Sequence, residues 1–299
     1  MTTTPLVCPL CGSTSIREKP FKYVFLNRDL WAKECGRCGI IFIHPQPTPE
    51  ELRNLYAAQY FEGGDFRCGH EGSYCDPSTL EHLSDQKFFL QIKALKPGGR
   101  LLEIGCAGGA TLSVARELGF SVQGVEISED ASRIAREKYG LPVFTGDIIE
   151  ARFPPESFDV IFMGDVIEHL PDPVTTLREL FRIMADGGLL VMALPSQTNT
   201  LSSRLGFLVY GALGRSATVA LPPYHLFEYR PGSLCYLLRQ CGFRIDRLDQ
   251  GIIPPHQISL RGPAIQRIGK KLLQYPNWML TQLFHVYGDR ITVYATKQA

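Results

Sequence analysis

Hydrophobic and polar positions alternate in short stretches over residues 1–46, then recur at helical spacing, and from Gly98 settle into a strand–helix rhythm. The first segment sets aromatic and polar residues between two tight cysteine pairs, the pattern of small strands. Pro45, Pro47 and Pro49 end it. Thr48-Pro49-Glu50-Glu51 predicts a helix start: Thr48 caps, Pro49 suits the first helical position and Glu51 closes a capping box. Residues 62–76 are glycine-rich and read as loop. A second helix is predicted from about Ser78 to Leu95, with Phe88, Phe89, Ile92 and Leu95 inward.

Beyond Gly98 the apolar runs 100–105, 121–127, 142–147, 158–164 and 189–195 predict strands. Helical patterns over about 109–118, 129–139 and 173–185 separate most of them. That order implies a parallel sheet with right-handed crossovers. A helix over 231–242 and strands over 243–248 and 290–296 follow. Segments 196–229 and 250–288 break the rhythm and read as a lid and a helical insertion. The chain thus divides into a ribbon over 1–46, a helical linker over 47–97 and an α/β domain over 98–299.

The composition, 44% hydrophobic and 20% charged, permits a packed core, and a net charge of +1 gives no global pull toward nucleic acid. The charge is unevenly spread. Residues 51–199 carry 13 Lys/Arg against 22 Asp/Glu, and residues 200–299 carry 12 against four. The basic last third is a candidate surface for anionic partners. No basic leader followed by an apolar run opens the sequence, and the longest apolar stretch, Leu205 to Leu213, has nine residues where a span needs about 20. A cytoplasmic, reducing location is expected, in which close cysteine pairs read as metal ligands.

Cys8, Cys11, Cys35 and Cys38 form CxxC-x23-CxxC, each pair followed by a glycine that lets backbone amides turn toward sulfur. Four thiolates suit a closed, structural Zn2+ site. Cys68, His70 and Cys75 lack a fourth ligand and read as incidental.

Residues 101–109 read LLEIGCAGG: a strand ends in Gly105, and Gly108-Gly109 open a helix. A nucleotide ligand needs such a turn, free of side chains and with amides aimed outward. Glu126 stands 21 residues after Gly105, an offset at which an acid accepts from both ribose hydroxyls. Asp147 ends the third strand on the same sheet edge, where it can accept from an adenine amine. The dinucleotide pattern is G-x-G-x-x-G, whereas here Glu103 precedes Gly105 by two.

This arrangement resembles the first motif of class I S-adenosylmethionine-dependent methyltransferases, with Ala107 where the middle glycine usually stands. FDVIFMGDVIEHLPDP (158–173) and LRELFRIMADGGLLVMALP (177–195) resemble the fourth- and fifth-strand motifs of ubiquinone-pathway O-methyltransferases. The cysteine ribbon, proline hinge and LY..QYF resemble the N-terminus of methyltransferases of antibiotic-sugar and surface-polysaccharide pathways. The resemblance implies a doubly wound, Rossmann-like α/β sheet behind a zinc ribbon. It implies a donor site in which Glu103, Gly105, Cys106, Ala107 and Gly109 face the methionine part. Glu126 and Ile127 would hold the ribose and Asp147 and Ile148 frame the adenine. Asp165 and Val166 would lie near the methyl. Glu168 and His169 belong to the motif and either orient the loop or take part in catalysis.

In those families a histidine in the stretch Pro222 to Tyr229 faces the substrate cleft. His225 is then the base, with Glu228 orienting it and Tyr224 or Tyr229 lining the pocket; the alternative is a histidine fixing the loop to the helix at Pro231. An imidazole near its ordinary pKa of about 6.5 suits proton removal at neutral pH. Ile265, Ile268 and Leu272 recur at helical spacing opposite Arg267, Lys270 and Lys271. Together with 201–221, residues 263–287 form either a lid and outer helix on the core or a peripheral membrane surface for an anionic or lipid-linked substrate. The expected function is methylation of a small-molecule, glycan or lipid-linked acceptor, on oxygen or carbon. The rivals are an RNA methyltransferase gripping nucleic acid through the ribbon, and a binding protein that kept the fold. At +2, residues 1–50 are weakly basic for RNA.

Overall fold

The computed structural model describes residues 5–55, 85–219, 222–257 and 264–298. Cys68, His70 and Cys75 lie outside the described residues, as do the first turns of the helix expected from Ser78. The chain opens with strands β1 (Ile16–Phe25), β2 (Arg28–Cys35) and β3 (Ile41–His44), followed by helix α1 (Pro49–Leu55). The capping box forms as the sequence predicts. Thr48 N–H donates to Glu51 at 2.7 Å and Glu51 N–H donates to Thr48 Oγ1 at 3.2 Å. Helix α2 (Asp85–Leu95) sets Phe88 and Phe89 against Phe162, ring centroids 5.3 and 5.2 Å apart. Leu95, expected inward, is the last residue of the helix and is 54% exposed.

The main sheet holds β4 (Arg100–Ile104), β5 (Ser121–Glu126), β6 (Val143–Thr145), β7 (Phe158–Gly164), β8 (Met184–Pro195), β11 (Phe243–Gly251) and β12 (Arg290–Lys297). Its order is β11-β12-β8-β7-β4-β5-β6. The strands from β4 to β8 pair parallel, and β12 is antiparallel to both of its neighbours. After β11 at the edge, the chain runs through residues 252–289 and β12 inserts antiparallel between β11 and β8. Helices α3 (Ala110–Glu117), α4 (Glu129–Tyr139), α5 (Pro173–Ile183) and α7 (Pro231–Gln240) cover the sheet.

Neighbouring strand residues feed opposite cores, as the two-residue period of a strand requires. Leu101 packs with Phe89, Leu112 and Ala135 of the α2–α4 layer. Leu102 packs with Leu177, Leu234 and the ribbon residues Leu30 and Ile41 on the other face. The ribbon therefore shares a hydrophobic core with that face of the main domain.

Its sheet also takes strands from the segment read as a lid. The order is β10-β3-β2-β1-β9, where β9 (Ala217–Val219) pairs parallel to β1 and β10 (Phe227–Glu228) antiparallel to β3. Helix α6 (Leu201–Ala212) stacks Phe207 on Phe21 at 5.3 Å. Glu34 of β2 accepts from Arg230 at 3.1 Å across 196 residues of sequence. Helix α8 (Ala264–Phe284) runs beside α6.

Candidate functional site

The carboxyl ends of β4, β5, β6 and β7 meet at one edge of the sheet. Gly105, just past β4, has φ +70°, and a Cβ there would lie 2.5 Å from Val166 Cγ2. Both the left-handed backbone and that approach require glycine. Gly109 caps α3 with φ +82°, and a Cβ there would lie 2.7 Å from both Ala135 and Leu141. Ala107 also adopts a left-handed φ, +45°. The methyl group replacing the usual glycine thus sits in a conformation that glycine adopts more cheaply.

Ala107 N–H donates to Glu126 Oε2 at 2.9 Å, and Ser128 N–H donates to Glu126 Oε1 at 2.8 Å. Glu126 therefore pins the glycine turn to the end of β5. Burial raises its pKa, and the two amides oppose that rise. Each carboxylate oxygen keeps a further lone pair for a ligand. Glu103 and Cys106 are buried beside it, and burial pushes the Cys106 thiol far up. Ile127 is exposed, while Ile148 is buried. Asp147 is exposed and caps the turn after β6, accepting from Ile149 and Glu150 amides at 2.8 and 2.9 Å.

Asp165 follows β7 with φ +53° and pairs with Arg290 at 2.7 Å. Arg290 opens β12, 125 residues away, and no local pattern in the sequence points to it. Next comes a 3-10 turn, Ile167–His169, against which the segment Tyr224–Glu228 lies. His169 Nδ1 donates to the Tyr224 carbonyl at 2.8 Å, and Leu226 N–H donates to the Glu168 carbonyl at 2.8 Å. These bonds bring His169 and His225 edge to face, centroids 5.0 Å apart. His225 Nδ1 meets Glu228 Oε1 at 3.3 Å. Tyr224 is nearly buried beside them, and Tyr229 is fully buried in the core, so it lines no open cleft.

The charge states follow from burial and neighbours. Burial, reinforced by the charge of His225, lowers His169 to about 3, so it is neutral. The Glu168 carboxyl is 1% exposed, and neither oxygen has a hydrogen-bond partner among the described residues. Burial, then Asp165, pushes it up to about 8. For His225 burial acts downward, but the Glu228 hydrogen bond and the charges of Glu228, Glu168 and Asp165 outweigh it, and the pKa rises to about 9. The expectation of an ordinary value near 6.5 is thereby corrected. The cause is the nearby carboxylates, Glu228 above all, and the imidazole is charged at neutral pH.

In the ribbon, Cys8 and Cys38 sulfurs are 3.6 Å apart, as are those of Cys11 and Cys35. All four lie within 4.8 Å of one another. Disulfides need about 2.05 Å, whereas tetrahedral thiolates at 2.3 Å from a metal stand about 3.8 Å apart. The four thiols could hold a metal.

A family model described as a methyltransferase domain matches residues 80–248, more than half of the chain. The chain belongs to this family. A 2-methyl-6-phytyl-1,4-hydroquinone methyltransferase of Synechocystis is 31% identical over 148 residues, 45% of this chain and 46% of that protein. A ubiquinone biosynthesis O-methyltransferase of Thiobacillus denitrificans is 23% identical over 171 residues, 54% of this chain and 71% of that protein. The chain spans about half the length of its curated hydroquinone and menaquinone relatives. Among solved structures, a Bacillus halodurans protein provisionally named a methyltransferase matches the fold with a TM-score of 0.50 and 17% identity, covering 72% of this chain and 100% of that one. The family match begins after the ribbon and α1.

Gly105→Ala tests the close approach at the turn. It should cost about 2–4 kcal/mol in urea unfolding, from left-handed strain plus overpacking. Shrinking the neighbour in Gly105→Ala/Val166→Ala should recover part of that. Gly119→Ala, at φ +94° with nothing within 4 Å of an added Cβ, supplies the strain alone. Equal losses at 105 and 119 would mean that Val166 imposes no constraint.

Proposed function

We propose that the chain is an S-adenosylmethionine-dependent methyltransferase acting on a small-molecule acceptor. The observation that carries this reading is Glu126. It is a buried carboxylate tied to the glycine turn at the end of β5, in a chain of the methyltransferase-domain family. When bound, S-adenosylmethionine supplies a sulfonium methyl whose transfer leaves a neutral thioether. The protein's part is to hold donor and acceptor in line and to manage a proton. Glu126 accepts from the ribose hydroxyls with its free lone pairs. Asp147 and Ile148 bound the adenine side, and the backbone around Gly105 faces the methionine side. Asp165, held by Arg290, closes the edge next to the reacting carbon.

On the acceptor side, His225 Nδ1 is engaged by Glu228, which leaves Nε2 to take the acceptor's proton as the methyl arrives. Neutral His169 and Tyr224 fix the ring's surroundings. With the pKa raised to about 9, the neutral imidazole is a small fraction at pH 7 and grows as pH rises. That suits a weakly acidic hydroxyl, such as a phenol, better than an alcohol. The relatives named for hydroquinone and ubiquinone methylation favour the same class. The ribbon thiols, in this reading, bind one structural zinc, the metal that best suits four closed thiolates.

Donor binding depends on Glu126 if the reading holds. Calorimetry with S-adenosylhomocysteine should show at least a tenfold loss in Glu126→Ala, consistent with charge-assisted bonds of about 1.5–3 kcal/mol. Unchanged affinity would remove the ribose assignment.

The pH dependence of turnover reads the acceptor side. At saturating donor, the rate should rise about tenfold per pH unit and level off near 9. Glu228→Gln removes the carboxylate that raises the pKa, so the limb should move down toward about 6.5. A limb that stays put in that variant contradicts His225 as the base.

Elemental analysis should find one zinc per chain, lost in Cys35→Ser. Cys38 lies three residues before β3, and β3 pairs with β10, so metal loss should displace His225 and Glu228. Turnover should then fall while donor affinity survives. Full turnover in a metal-free ribbon would show that the metal supports nothing at the site.

A further inference from the structure

Helices α6 and α8, from the two segments that break the strand–helix rhythm, lie side by side. Among the described side chains of α8 the buried positions are polar: Asn277 and Thr281 are 1% exposed and Gln274 9%. Each is spent on neighbouring backbone. Asn277 Oδ1 accepts from Leu201 N–H at 2.5 Å and its amide donates to the Tyr287 carbonyl at 2.9 Å. Gln274 donates to the Ile253 carbonyl, and Thr281 bonds the Asn277 and Val286 carbonyls.

Leu273, Trp278 and Leu280 are half-buried, but a second apolar set faces solvent. Leu272 is 70% exposed, Tyr275 55%, Met279 54% and Leu283 66%. Their spacing of three and four residues makes one continuous stripe along the helix. Helix α6, beside it, exposes an apolar set of its own. None of its residues is buried, and Leu205, Leu208 and Val209 point outward, joined by Leu213 just past its end. A helix of a soluble protein ordinarily turns such a stripe inward. Two adjacent helices that both expose large apolar side chains present more apolar surface than scattered residues would, and such a surface marks a place to be covered.

Charge decides what covers it. Residues 201–219 and 264–288 hold Arg204, Arg215, Arg267, Lys270 and Lys271 and not one Asp or Glu. Against a second copy of the same face, like charges would meet. Against an anionic lipid surface the same charges attract, each by about 1 kcal/mol. Among the described residues no helix is long and apolar enough to cross a membrane. We propose that α6 and α8 form a monotopic docking face that lies in the interface of an anionic membrane, its leucines and aromatic rings at the acyl boundary and its basic residues among the headgroups. Docking there would bring the site to an acceptor dissolved in the lipid. That choice of acceptor rests on the methyltransferase reading; the docking itself does not.

Vesicle flotation of the full chain tests it. The protein should float with vesicles containing phosphatidylglycerol, and about tenfold less with pure phosphatidylcholine or at high salt. Leu272→Glu/Met279→Glu places charges on the stripe at exposed positions. It should cut flotation about tenfold or more while leaving melting temperature and S-adenosylhomocysteine affinity near those of the parent. Absence of flotation in the parent, or unaltered flotation in the double variant, overturns the docking face. So does a dimer that the same variant dissociates, since a second copy would then be the occupant. A chain that floats but binds no donor overturns the methyltransferase reading and leaves the docking standing; one that binds donor and does not float does the reverse.

Discussion

The segment from Tyr224 to Arg230 is clamped from two sides, and the rest of the molecule is arranged around that clamp. On one side, Ile43 of the ribbon donates to the Leu226 carbonyl at 3.1 Å, and Phe227 and Glu228 pair with β3. On the other, the Glu168 carbonyl accepts from Leu226 and His169 holds the Tyr224 carbonyl. Ser196 then bonds the Tyr229 carbonyl at 2.7 Å, and Arg230 reaches Glu34. The ribbon therefore supports the site through main-chain hydrogen bonds. It shares a core with one face of the main domain and fixes the residues proposed to handle the acceptor's proton.

The two ends of the proposed site use buried carboxylates in different ways. Glu126 spends one lone pair of each oxygen on an amide, which makes it rigid and keeps the glycine turn closed against β5. Glu168 has no such partner among the described residues and sits between two histidines of opposite tendency. In a site of low dielectric the nearest charges dominate. Burial keeps His169 neutral, whereas Glu228 at 3.3 Å holds a proton on His225. One end of the site is thus built for fixed geometry and the other for titration.

Much of this was legible in the chain. The strand–helix rhythm after Gly98 gives the parallel sheet, because strands buried on both faces read as continuous apolar runs that stand out between amphipathic helices. Thr48 and Glu51 announce a capping box that forms as read, and the CxxC pairs bring four sulfurs together. What stayed hidden has physical reasons. Strands β9 and β10 are three and two residues long, too short to carry a period, so their union with the ribbon sheet leaves no local trace. Arg290 finds Asp165 only through the fold. The apolar spacing of Ile268 and Leu272 correctly gives a helix, but periodicity cannot say which face packs. Asn277 and Thr281 win the inward position because backbone groups there need partners. The His225 pKa depends on distances and burial that no spacing encodes.

The central claim is that the turn at Gly105 and the carboxylate of Glu126 form a nucleoside site at the carboxyl edge of the sheet. A crystal structure of the full chain grown with S-adenosylhomocysteine tests this most directly. The account predicts the ribose hydroxyls against Glu126, the adenine beside Ile148 and the amino-acid end over Gly105. A ligand seated elsewhere on the protein, with that turn empty, would contradict it.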